Sequence, residues 1–415
     1  MAMNDNTYSF SYAETGYNHI KTNKVCEDAA DFYEEEGIRI CAVADGHGSD
    51  NYPRTDRGSK YAVQSAINSI AKFVKEAEPD QVINDEQNHY SLLLQLSKNI
   101  LKEWYQLVEE DIRSHPFEEA ELEKVSEKYK ERYLSENTDN QLEKAYGATL
   151  IAYTVTDKYS FGLQIGDGQC IVVDCNGIFS KPIPWDDNCQ MNVTTSICDR
   201  NAIEEFRFFI TEESLLAVFC GTDGIDDSYT GDEELFAFYR SILKIIIEYG
   251  KEIGIKEVKD YLPKLTKKGS GDDVSIAAII DEELLIKNKD VIELQMQLYK
   301  QTCELEERKY TLDNIRDKTD ALRKHIVSLA EPGIKPGVNK KKLSETANEI
   351  EKLEEEQINL ENQITELNEN IALVSKRLQS KLFDRDVASF TDNNTVNGEI
   401  EADQPTTKDD NDSIE

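Results

Sequence analysis

Five acidic clusters are spread through the first two thirds of the chain, and their carboxylates are the side chains best placed to do chemistry. VCEDA (25–29) carries Glu27 and Asp28, and VADGHG (43–48) carries Asp45 and His47. QIGDG (164–168) carries Asp167, and GTDGIDD (221–227) carries Asp223, Asp226 and Asp227. GSGDDVS (269–275) carries Asp272 and Asp273. Taken singly, an Asp beside a glycine reads as a turn former or a helix cap. Four of these clusters, however, sit at strand ends or tight turns on separate apolar strands. A sheet gathers strand ends at one rim, and carboxylates converging there repel unless cations neutralise them. An all-oxygen site suits Mg²⁺ or Mn²⁺ and not zinc. A glycine after the Asp lets the backbone, including its carbonyl, approach an ion. Two ions about 3.5–4 Å apart would polarise a bridging water and clamp a phosphate ester. The chain has no GxSxG, no CxxxxxR phosphatase loop and no Walker loop, so neither a covalent nucleophile nor ATP hydrolysis is indicated.

The elements that must position these residues are short and apolar. IRICAVAD (38–45), ATLIAYTV (148–155), YSFGLQIGD (159–167), CIVVD (170–174), SLLAVFCGTDG (214–224) and DVSIAAIID (273–281) read as strands, rich in β-branched and aromatic residues and punctuated by Gly and Asp. Helical patterns lie between them at roughly 57–78, from 89 onward with a charged stretch to 143, at 233–250 and at 255–265. Many buried strands beside long helices predict an α/β sandwich with helices outside the sheets.

After Asp281 the pattern changes. Val291, Leu298, Leu305, Leu312 and Ile326 fall at heptad spacing, with Leu294, Ile315, Leu322 and Leu329 as companions. Gln301, Arg308 and Thr319 interrupt the seam. EPGIKPG (331–337) breaks the helix. A second series follows: Leu343, Ile350, Ile364, Ile371 and Leu378, with Leu353, Leu360, Leu367 and Val374. Two such segments predict an antiparallel coiled-coil hairpin, a candidate for self-association or partner docking. The predicted layout is a first domain over 1–284, a coiled-coil hairpin over 285–384 and a disordered acidic tail over 385–415.

Composition narrows the partners. The 415 residues carry a formal charge of -35, with 39% apolar and 31% charged side chains. Such a chain repels nucleic-acid phosphates and attracts divalent cations or basic partners. The eight cysteines, Cys26, Cys41, Cys170, Cys175, Cys189, Cys198, Cys220 and Cys303, form no CxxC pair or zinc spacing, so they read as buried, reduced thiols. No signal peptide and no run of about 18 apolar residues is evident, which predicts a cytoplasmic protein without a membrane partner.

Taken in order, ED (27–28), DGHG (45–48), GAT (147–149), GD (166–167), TDGIDD (222–227) and SGDDVS (270–275) resemble the metal-dependent protein phosphatases of type 2C, bacterial-like and here with a coiled-coil extension. The resemblance covers about residues 8–281. It implies a four-layer α-β-β-α sandwich of two antiparallel sheets flanked by helices, an α+β fold. It implies hydrolysis of phosphoserine and phosphothreonine in proteins by a metal-activated water, with two Mg²⁺ or Mn²⁺ ions and, in many members, a third. By position, Asp45 would bridge the two ions and Gly46 would offer its carbonyl. Asp223 and Asp272 would complete one shell, and Glu27 would hold the second ion. Asp167 and Asp227 match the third site. Asp28 would orient the reacting water, and His47 would be the general acid. The family's phosphate-gripping arginine is replaced here by Asn23. Lys21 and Lys24 are near enough to substitute, though a lysine is a point charge and not a bidentate fork. Arg54 and Arg57 are further candidates. The alternative reading is a non-catalytic phosphoprotein-binding scaffold on the same fold, motivated by Asn23 alone.

Overall fold

Strand β3 (Ile38–Ala44) shows how the sequence becomes layers. Side chains alternate between the two faces of a strand. Here Ile40, Ala42 and Ala44 join one core, while Cys41 and Val43 join another. Both sets are apolar, so the strand is covered on both sides. In the computed structural model, residues 6–76, 82, 86–134, 141–189, 193–329 and 336–396 are described.

The strands are β1 (Thr7–Glu14), β2 (Ala29–Glu35), β3, β4 (Leu150–Thr156), β5 (Ser160–Ile165), β6 (Gln169–Asp174), β7 (Phe179–Ser180), β8 (Arg207–Thr211), β9 (Leu215–Gly221) and β10 (Val274–Asp281). They form two five-stranded antiparallel sheets, ordered β1-β10-β9-β6-β7 and β2-β3-β4-β5-β8. Between the sheets lies a dry layer that includes Cys41, Val43, Ile151, Tyr153, Val218 and Ile279. Helices α1 (Tyr17–Thr22), α2 (Thr55–Glu76), α3 (Glu86–Ser114) and α4 (Glu127–Leu134) come first in the chain. Helices α2 and α3 cover the outer face of the second sheet. After the short α5 (Ala202–Glu205) and α6 (Asp223–Asp226), helices α7 (Asp232–Tyr249) and α8 (Lys251–Lys268) cover the first sheet. The predicted four-layer α-β-β-α sandwich is the observed architecture.

Four strands escape a search for apolar runs. In β2, AADFYEE, only Ala29 is buried, and β8 is only half-buried along its length. Strand β1 alternates aromatic and small polar residues, and β7 has two residues. The stretch expected to be helical from 89 onward divides: α3 ends at Ser114, two residues before Pro116, and α4 is a separate helix.

The first compact unit runs to Tyr299 and the second begins at Lys300. Helix α9 (Glu282–Lys287) and the first turns of α10 (Lys289–Leu329) belong to the first unit, where Leu285 and Ile292 join the core under the first sheet. In the second unit, α10 and α11 (Pro336–Val396) form a hairpin. Leu305, Leu312, Ile315, Ile350, Leu353 and Leu367 are buried, and Arg316–Glu361 and Arg323–Glu354 pair across it. Thr319, an interruption of the seam, is buried but satisfied, its hydroxyl donating to the Ile315 carbonyl. Of the Pro-Gly break, residues 331–335 lie outside the described residues. Helix α11 continues to Val396, inside the segment 385–415 expected to be disordered. Extending an existing helix costs far less than nucleating one. Residues 397–415 lie outside the described residues.

One contact sets how closely α2 approaches the 3-10 turn Leu142–Tyr146 that leads into β4. Gly58 packs against the carbonyl of Tyr146, and an added Cβ would stand 1.9 Å from that oxygen. Trp104 Nε1 also donates to the Gly58 carbonyl, 3.1 Å away. Gly58→Ala, favourable to an isolated helix, should therefore destabilise the protein by about 1–3 kcal/mol through overpacking. Urea unfolding would measure it, and unchanged or increased stability would refute the argument.

Candidate active site

The GAT motif explains why β3 ends where it does. Beyond Ala44 the pairing continues irregularly: Asp45 N–H donates to Thr149 Oγ1 at 3.0 Å, and Thr149 N–H to the Asp45 carbonyl at 2.8 Å. Gly46 bridges to Ala148, and His47 N–H donates to the Gly147 carbonyl at 3.1 Å. Gly46 has no room for a side chain, since a Cβ would meet Thr55 Oγ1 at 2.4 Å and the Glu27 carbonyl at 2.5 Å. The backbone of DGH is thus clamped on both sides at the sheet rim.

Asp45, Gly46, His47, Asp167, Asp223, Asp227 and Asp272 line one cleft of about 580 Å³, together with His19 and Asp273. Each comes from a different local device. Asp167 follows the tight turn after β5. Asp223 opens α6 at the end of β9. Asp272 precedes β10, its carbonyl held by Thr266 Oγ1 at 2.7 Å. Glu27 and Asp28 are buried beside the cleft and are not among its lining residues. Thr222 Oγ1 donates to Asp28 Oδ2 at 2.7 Å and accepts from Ser275 N–H at 2.9 Å, tying Asp28 to both central strands of the first sheet.

The electrostatics of the cluster follow from desolvation and like charge. Burial, then Asp223 and Asp28, push the Asp45 carboxyl well above the usual range. Burial raises Asp28 and Glu27 to about 7, and burial with the Asp167 and Asp28 charges raises Asp223 to about 8. Asp226, behind them, is raised to about 8 by burial and Asp227. Among the described residues, no three carboxylates, imidazoles or thiols stand close enough to form a closed ion cage. The donor set still fits a hard divalent cation. It is all oxygen, and Asp28 Oδ1 and Asp167 Oδ1 are buried with no hydrogen-bond donor aimed at them. Such an atom can be satisfied by a shared proton or by a cation.

The other expected residues are placed as follows. His47 packs edge-on against Tyr52, with ring centroids 4.8 Å apart, and burial lowers its imidazole to about 4. The loop carrying Tyr52 is held from behind by the helical insertion of residues 86–134, between α2 and β4: Ser126 N–H and Oγ donate to Asn51 Oδ1, and Tyr133 donates to the Asn51 carbonyl at 2.8 Å. Lys24 Nζ binds Glu27 Oε2 and the Gly48 carbonyl, both at 2.7 Å. Lys21 lies over the Tyr17 ring, and neither Lys21 nor Asn23 lines the cleft. Asn23 sits at φ 53° and caps α1 in the left-handed region, a backbone role that suits Asn. Arg54 and Arg57 do not enter the cleft. Arg54 is buried in a two-pronged pair with Glu121 at 2.6 and 2.8 Å and stacks on Phe117, while Arg57 pairs with Asp111 at 2.9 Å. Their sequence position beside DGHG was misleading because α2 turns both side chains toward the insertion.

Two further residues line the cleft, Asp273 of SGDDVS and His19, and the sequence assigns a role to neither. Asp273 is buried and, although burial pushes the other way, bonds from His19, Gly16 and Glu27 hold its carboxyl below the usual range. His19, in YNHIK, has no signature at all.

The raised carboxyls make a pH prediction. Asp223 has an ordinary value of 3.8 and a folded value of about 8. A carboxyl raised by folding leaves stability intact below its unfolded value and loses it as pH climbs through the folded one. Asp223→Asn removes that titration. In EDTA, the Tm of the variant minus that of the wild type should therefore grow from pH 5 to pH 8, and Mn²⁺ should raise the wild type more than the variant. A margin independent of pH would contradict the assigned desolvation.

No curated protein sequence matches the chain. Solved structures to which the chain is similar include the serine/threonine phosphatase Stp1 from Staphylococcus aureus, at 17% identity over 68% of this chain and 97% of that one, TM-score 0.42. A bacterial serine phosphatase matches at 15% identity over 66% and 97%, TM-score 0.42, and PppA from Pseudomonas aeruginosa at 15% over 66% and 97%, TM-score 0.40. The sequence profile of the protein phosphatase 2C family matches residues 15–262, a span that ends short of Asp272. With more than half of its length inside that match, the chain belongs to the protein phosphatase 2C family and is a protein serine/threonine phosphatase.

Proposed function

We propose that the chain hydrolyses phosphoserine and phosphothreonine in proteins with Mg²⁺ or Mn²⁺ held in the acidic cleft. The observation that carries this is the meeting of Asp45, Asp223 and Asp272, from three distant segments, on one cleft with His47. Asp45, the Gly46 carbonyl, Asp223, Asp272 and Glu27 would hold two ions, and Asp167 with Asp227 a third. When bound, the cations supply Lewis acidity and offset the charge of the phosphoryl group.

The chain's own residues do the rest. Asp28, fixed by Thr222, is the acceptor that orients the attacking water. His47 is the proton donor to the departing serine or threonine oxygen. Its burial keeps it neutral in the absence of substrate, and a phosphate dianion beside it favours the protonated form. All eight cysteines are free thiols, which fits a reducing compartment such as the cytoplasm. Cys175 and Cys303 are exposed, a departure from the expectation that the thiols are buried. No described helix is long and apolar enough to cross a membrane.

Turnover of a phosphothreonine peptide with and without Mn²⁺ tests the reading. Asp45→Asn and Asp223→Asn should each lower kcat/KM by at least about a hundredfold, since each removes a charge from the centre of the cleft. Metal-independent turnover, or full activity in either variant, would refute it.

The arm has its own test. The apolar seam is shared by the two helices of one hairpin, so self-association through that seam would require the hairpin to open. Light scattering of the full chain should give the monomer mass, and a dimer mass would show the hairpin reading of the arm to be incomplete.

A further inference from the structure

Three segments meet at Asp273. Its Oδ1 accepts from Gly16 N–H at 2.6 Å and pairs with His19 Nδ1 at 2.9 Å. Its Oδ2 accepts from Glu27 N–H at 2.6 Å. Both oxygens are thereby used in holding the loop after β1, helix α1 and the Glu27 backbone. The far edge of the His19 ring faces the cleft. Its Nε2 lies 3.8 Å from Glu27 Oε2 and 3.9 Å from Asp272 Oδ1. One ring therefore stands between two carboxylates that come from opposite ends of the catalytic unit, and Asp273 fixes that ring from behind. The Glu27 carboxylate has one further anchor, Lys24 Nζ.

We propose that His19 and Asp273 form a positioning pair that holds Glu27 and Asp272 in register for divalent-cation binding. The inference rests on the cation-dependent reading of the cleft. Asp273 acts on the Glu27 backbone and on the His19 ring, and His19 spaces the two carboxylates. Neither residue needs to touch the cation or the phosphate. A purely structural role for the pair predicts lost stability with unchanged cation affinity, and the positioning role predicts the reverse emphasis.

The test is Mn²⁺ binding to the metal-stripped full chain, followed by the EPR signal of free Mn²⁺. The variants are His19→Ala, His19→Asn and Asp273→Ala. Asn places an amide N–H near the position of Nδ1, so it can keep a polar contact with Asp273. By the usual effect of residues that orient ligands from behind, His19→Ala should weaken Mn²⁺ binding by about tenfold or more, and His19→Asn should recover most of that loss. In turnover assays the His19→Ala deficit should shrink as Mn²⁺ is raised to saturation. Asp273→Ala should lose affinity as His19→Ala does. If removal of Asp273 leaves its backbone donors unpaired and prevents folding, the two His19 variants decide alone. Wild-type affinity in a folded His19→Ala protein overturns the positioning pair, as does a His19→Asn protein as weak as His19→Ala. A wild type that binds no Mn²⁺ overturns both the pair and the reading on which it rests.

Discussion

Carboxylates crowded into a poorly solvated cleft repel one another, and the fold must hold them there against that repulsion. The burden falls on backbone and hydroxyl anchors placed behind the charges. Thr149 fixes the Asp45 backbone, Thr222 fixes Asp28, Thr266 fixes the Asp272 carbonyl, and Asp273 fixes Glu27. The two sheets make this possible because each contributes strand ends to the same rim while their apolar faces exclude water from the layer between. The strength of the packing and the strain of the site are thus linked. A looser sandwich would let the carboxylates separate and hydrate, and their raised proton affinities would fall back toward ordinary values.

How much of this could be read from the sequence depended on whether the cause was local. Asp45, Asp167 and Asp223 were legible because an apolar strand followed by Asp and Gly is a local pattern with a local meaning, and Asp272 because a Gly-Asp turn leads directly into an apolar strand. The helices at 232–249 and 251–268 and the heptad arm were legible for the same reason. Strand β2 was not, since its exposed DFYEE carries charge on an outer edge. Asp273 was legible as an acidic residue but not as an anchor, because Gly16 and Asp273 are 257 positions apart and nothing in either segment names the other. Arg54 failed differently. A basic residue near DGHG suggested a phosphate ligand, but Glu121 and Phe117, on the helical insertion, claim it.

The insertion itself gains a meaning from that contact. In the sequence it reads only as a helical pattern with a charged stretch to 143. In the structure it supports the loop 49–53 from outside, through Asn51, and so stands behind Tyr52 and the His47 ring. A peripheral addition is thereby mechanically connected to the proposed proton donor without entering the cleft.

The register of β1 against β10 carries a consequence for how the molecule is made. Thr7 pairs with Asp281, and β10 lies between β1 and β9. The first sheet therefore lacks an inner strand until nearly the whole catalytic unit has left the ribosome, and Asp272 arrives with that strand. Contacts of such sequence separation form slowly and leave strand edges open meanwhile. The acidic site is completed by the same event that closes the sheet, so a nascent chain stalled earlier holds most of the carboxylates but no finished rim. The arm follows β10 in the chain, so it emerges only after the last strand of the sheet has been made.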